Sequence, residues 1–118
     1  FLIYFGAQMI KKKHYICTHT WNNTEARQDA LKFMKDMTDK EFFDLLRTDK
    51  AETIQHWMGK DDFFFCHWYA ENEDAIYESL DNSGFSSFML TLPSEMPRFV
   101  TQYDIKKSKM SSLDETQL

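Results

Sequence analysis

The sequence predicts an α+β fold: a four-stranded antiparallel sheet with helices on one face. Three observations predict it. Strand-like and helix-like segments follow one another as β-α-α-β-β-α-β. Helical stretches open on residues suited to N-capping, and strand stretches are β-branched or aromatic. With aromatic residues at 16%, eleven of them Phe, the chain calls for a thick core or an aromatic-lined cavity.

The elements read as follows. His14 to Trp21, HYICTHTW, is the first strand. Asn22 and Glu25 have capping-box spacing, and Ala26, Ala30, Phe33, Met34 and Met37 recur at helical intervals after them. Thr38 and Glu41 form a second box, opening a short helix expected to bury Phe42, Phe43, Leu45 and Leu46. Glu52–Met58 and Phe63–Ala70 read as strands joined by a hairpin turn at Gly59–Asp62. Asn72 caps the next helix, whose stripe is Ile76, Tyr77 and Leu80 and whose stop is Gly84. Phe88 to Leu92 is the fourth strand, expected to end at Pro93, with an extra edge from Arg98 to Tyr103. Allowing for the doubled helix, this order is the ferredoxin-like split βαβ plan. Its second sheet face has no helices, and with so many aromatic strand residues it is expected to meet a second copy across a shared cavity.

The strings Ile54-Gln55-His56-Trp57 and Phe64-Phe65-Cys66-His67-Trp68-Tyr69-Ala70-Glu71 add a resemblance. They are similar in outline to small bacterial and marine-environmental proteins of the dimeric α/β-barrel, ferredoxin-like superfamily. Some members of that group are described as nickel-binding. The resemblance covers Glu52 to Gly84 and implies the fold and a dimer rather than an activity. The stretch Asn23–Arg47 is longer than the group's usual first connection.

One ferredoxin-like domain is expected over residues 9–103, followed by a polar tail, 104–118. Residues 1–8, apolar and preceding Met9, are expected to be a non-native upstream extension. A net charge of -5 argues against nucleic acid, because phosphate binding needs a basic surface. No segment is long enough to span a bilayer, and Cys17 and Cys66 read as buried free thiols of a cytoplasmic protein.

The expected turn places Met58 opposite Phe63, His56 opposite Phe65 and Ile54 opposite His67. Small Ala70 marks the helix-facing side, so His56, Met58, Phe65, His67 and Tyr69 are assigned to the cavity. In the first strand Tyr15, Cys17, His19 and Trp21 share a side, and that aromatic set is assigned to the cavity too.

The favoured function is therefore binding of an elongated apolar molecule with one polar end, such as a fatty-acyl or aromatic metabolite. His19, His56, Met58, Phe65, His67 and Tyr69 would line its site. Alternatives are a cofactor-independent oxygenase or isomerase using a cavity histidine as acid/base, or a protein binding nickel or another transition metal. No HxH, HExxH or CxxC spacing is present, so no metal or cofactor is expected. Cys66 is expected beneath the helices without a base.

Overall fold

The computed structural model describes residues 11–107 and 109–110. The expectation for residues 1–8, and most of the expected tail, lie outside the described residues. The elements are β1 (Lys13–Trp21), α1 (Thr24–Met34), α2 (Asp39–Leu46), β2 (Ala51–Trp57), β3 (Phe63–Ala70), α3 (Glu73–Ser83) and β4 (Met89–Glu95). The strands form one sheet in the order β2-β3-β1-β4, with every neighbouring pair antiparallel. This α+β arrangement of four strands and three helices is compatible with the ferredoxin-like plan.

Local chemistry explains the helix ends. The Asn23 side chain accepts from Ala26 N and caps α1, one residue later than the spacing predicts. Asn22 instead donates to the Ser87 carbonyl, because β1 runs on to Trp21. Thr38 and Glu41 close a full capping box on α2. Asn72 caps α3, and Glu73 and Asp74 place negative charge where the helix dipole favours it. Gly84, at φ 87°, ends α3 in the left-handed region that a residue without Cβ enters at least cost.

The helices cover one face. Ile76 and Leu80 of α3, Leu46 of α2 and Ala30 of α1 are buried against Tyr15, Cys17, Phe64, Cys66 and Trp68 of the sheet. Fully burying side chains such as Ile76 contributes about 1.5–3 kcal/mol each. Three of the expected contacts are weaker than the pattern suggests: Leu45, Phe33 and Tyr77 are exposed.

Three sequence expectations are corrected. Pro93 lies inside β4, which its position at the sheet edge permits, since the missing N–H can face outward. Arg98–Tyr103 adds no strand; a 3-10 turn, Gln102–Asp104, lies in this segment instead. The β2–β3 loop is longer than Gly59–Asp62, with Trp57 opposite Phe65, His56 opposite Cys66 and Gln55 opposite His67. The cause is a bulge at Ile54, between the Thr53–Trp68 and Gln55–His67 pairs. Sheet edges tolerate such an extra residue, and it reverses the facing of everything beyond it.

Candidate functional site

The four histidines divide into two pairs on opposite faces of the sheet. His19 and His56 lie on the helix side. There β1 presents Tyr15, Cys17, His19 and Trp21, because these oppose Trp68, Cys66 and Phe64 of the buried side of β3. The assignment of the β1 aromatic set to a cavity is therefore corrected: the bulkier, more apolar set goes beneath the helices. His56 is corrected as well, since the Ile54 bulge turns it toward Cys66.

His19 is fully buried, stacked on Phe64 at 4.7 Å, with its Nδ1 2.7 Å from Thr91 Oγ1. Burial first, and the neighbouring His56 second, bring its pKa down to about 4. His56 Nδ1 stands 3.3 Å from Cys66 Sγ, and its ring packs edge-on to Phe64. Cys66 thus has a base beside it, against expectation. Burial nonetheless lowers the His56 pKa and raises those of both thiols, Cys17 to about 12. A neutral imidazole against a neutral thiol is packing rather than an activated nucleophile. His19 Nε2, Trp21 Nε1 and Trp68 Nε1 have no hydrogen-bond partner among the described residues, and their side chains border an apolar cavity of about 20 Å³.

The open face is organised in rows across the strands. Leu90, Thr20 and Phe63 form the first row. Leu92, Thr18, Phe65 and Trp57 form the second; Ser94, Ile16, His67 and Gln55 the third. His14, Tyr69 and Glu52 complete it. Apolar side chains fill one end and polar ones the other. At the apolar end Leu90 and Leu92 are 69% and 66% exposed, and Trp57, Phe63 and Phe65 are exposed beside them.

At the polar end the contacts are specific. Gln55 Nε2 lies 3.2 Å from His67 Nδ1, and His67 Nε2 lies 2.9 Å from His14 Nδ1. An amide nitrogen can only donate, so His67 Nδ1 accepts and its proton sits on Nε2. That proton is given to His14 Nδ1, which leaves the His14 proton on Nε2. Burial keeps both imidazoles below their usual pKa, and His14 adds to the effect on His67. Phe99, from the segment after β4, covers the pair with ring centroids 5.2 Å from His14 and 4.6 Å from His67. Tyr69 packs on His14 at 4.8 Å.

Of the residues the sequence pointed to, Phe65, His67 and Tyr69 share the open face, and Met58 lies exposed in the loop after β2. His19 and His56 are separated from them by the sheet. His14, which the sequence reading does not assign to the site, also lies on this face, as its spacing from Ile16, Thr18 and Thr20 implies. Among the described residues no three His, Cys, Asp or Glu side chains gather to hold a metal ion. None of their helices is long and apolar enough to cross a membrane. No protein-family model, curated protein or solved structure matches the chain.

Proposed function

We propose that the protein binds an elongated apolar molecule with one polar end on its open sheet face, enclosed there by a second copy of the chain. The observation that carries this reading is the gradient along the face, from Leu90, Leu92 and Phe63 at one end to His67, His14 and Tyr69 at the other. An amphipathic guest has the same polarity. Its hydrocarbon would lie over the leucine and phenylalanine rows, and its polar group would meet the imidazole end.

A second copy is the natural cover. Four strands about 4.8 Å apart and about seven residues long span roughly 20 by 25 Å, so two such faces bury about 1,000 Å². That is the lower end for a specific interface. The face carries little charge to repel its copy: Glu52 is at the margin and reaches Arg47. The resemblance to dimeric ferredoxin-like barrels points the same way.

Native and denaturing mass spectrometry of protein purified from cells should find a co-purified apolar compound. Thr18→Trp, which plants a large ring in the middle of the face, should exclude it without unfolding the sheet. Protein that carries no compound, and whose melting temperature no added amphiphile shifts, would refute the reading. A second reading is favoured by the Gln55–His67–His14 chain, which could pass a proton to or from a bound substrate. It predicts turnover of the guest that is lost in His14→Phe.

A further inference from the structure

Beyond the polar end of the sheet, β1 and the segment after β4 enclose a groove of about 580 Å³, lined by His14, Arg98, Phe99, Thr101, Lys106 and Met110 among others. Its charges are unequally matched. Lys106 Nζ is 2.7 Å from a carboxylate oxygen of Asp104, so those two offset one another. Arg98 donates to the Met110 carbonyl and meets the Met110 sulfur, but has no carboxylate partner among the described residues. A guanidinium carries five N–H groups in a planar fork, and most of this fork is unused. His14 lines the same groove; its Nδ1 is taken by His67, which leaves its N–H on the other ring nitrogen.

We propose that this groove is a carboxylate site, and that the guest of the open face is a carboxylic acid with a long apolar body. The inference rests on the ligand-binding reading above and names the chemistry of its polar end. Arg98 pairs with the carboxylate, and the His14 Nε2–H donates to one of its oxygens. The hydrocarbon then runs along β1 over Ile16, Thr18 and Thr20 toward Leu90 and Phe63. From His14 to Thr20 is about 20 Å at the rise of a strand, the reach of a long acyl chain.

The charge count selects a carboxylate over a phosphate. One unmatched guanidinium and one neutral imidazole donor offer a single positive charge, which suits a monoanion. A phosphate monoester brings nearly two negative charges, and the other cation of the groove, Lys106, is already paired. An alcohol would leave the guanidinium uncompensated.

The test uses the full chain and three probes of equal length: dodecanoic acid, 1-dodecanol and dodecyl phosphate, titrated calorimetrically below their micelle concentrations. The acid should bind about tenfold or more tightly than the alcohol, the size expected of one charge-assisted contact. Arg98→Gln should erase that difference while leaving the alcohol unaffected, and Arg98→Lys should restore part of it. Circular dichroism should show all three proteins equally folded, since the Arg98 hydrogen bonds among the described residues go to Met110, outside the sheet and helices. Equal affinity for acid and alcohol, unchanged by Arg98→Gln, would overturn the carboxylate site yet keep the apolar one. Tighter binding of the phosphate would overturn it as well. Failure of all three probes to bind would overturn the carboxylate site and the ligand-binding reading together.

Discussion

His14 Nδ1 and His67 Nε2 are 2.9 Å apart although the two residues are not ladder partners; His14 sits opposite Tyr69 and His67 opposite Ile16. The contact therefore depends on side-chain reach across a diagonal, and Gln55 fixes its direction from the far side. Long-range proton–nitrogen spectra at pH 7.5 should show both rings neutral with the proton on Nε2. Gln55→Leu removes the amide donor, so the His67 ring should lose its preference between tautomers. An unchanged spectrum in that variant would mean Gln55 does not set the chain.

Stability should fall as the medium is acidified below pH 6.5. His19 has its pKa lowered to about 4 in the fold, whereas in the unfolded chain it takes a proton near pH 6.5. Between those values the unfolded state binds more protons, so folding loses up to about 3 kcal/mol as pH drops from 6.5 to 4. Above pH 6.5 this contribution is flat. Urea midpoints measured across that range should show the slope, and His19→Phe should reduce it. A variant with the wild-type slope would move the effect to the other histidines.

Leu92→Lys tests the dimer. Leu92 is exposed in the single chain, so its replacement should change monomer stability by no more than about 0.5 kcal/mol. Facing a second copy, the same lysine would be an unpaired charge in an apolar interface. Light scattering should give a dimer for the native chain and a monomer for the variant. A native monomer at micromolar concentration would contradict the enclosed face.

Ser79→Ala should cost about 1–3 kcal/mol. Its hydroxyl donates to the Leu46 carbonyl at the end of α2, and both residues are buried. Removing the hydroxyl leaves that carbonyl without a partner away from water. Denaturant unfolding checks the figure; a change within about 0.5 kcal/mol would show that the loop relaxes to let water in.

Gly84→Ala should also destabilise, by about 1–2 kcal/mol, because a Cβ is unfavourable at φ 87° even though nothing crowds it. Gly84→Asn should cost less, asparagine being the side chain most tolerant of that region. Equal losses for the two would point to a cause other than backbone conformation.

Much of this architecture is legible in the residues themselves. The Thr38–Glu41 box, the Asn72 cap and the Gly84 stop are local chemistry, and local chemistry is written in neighbouring letters. The face of β3 was legible too, because Ala70 is small where α3 must approach. The facing of β1 is not legible in the same way. Either set of its alternating residues could be imagined against a cavity, and only the pairing with Phe64, Cys66 and Trp68 decides. His56 was misplaced for a different reason: strict alternation contains no mark of a bulge. Arg98, between Pro97 and Phe99, reads in the sequence as a residue that could meet an acidic ligand at a cavity mouth, but periodicity does not place it, because its segment forms no strand.

The extra residue at Ile54 has a reach beyond its own strand. Strand alternation is a matter of parity, and Ile54 makes the count odd. With an even count, Gln55 and Trp57 would turn into the core, and His56 would take its place outside. His67 would then lose the donor that locates its proton, and His14 would lose the tautomer it inherits. A single edge-strand residue thus fixes which nitrogen carries a hydrogen two strands away. Shortening β2 at Ile54 preserves that parity for every residue that follows, whereas inserting one residue beside it reverses the polarity of the sheet's whole margin.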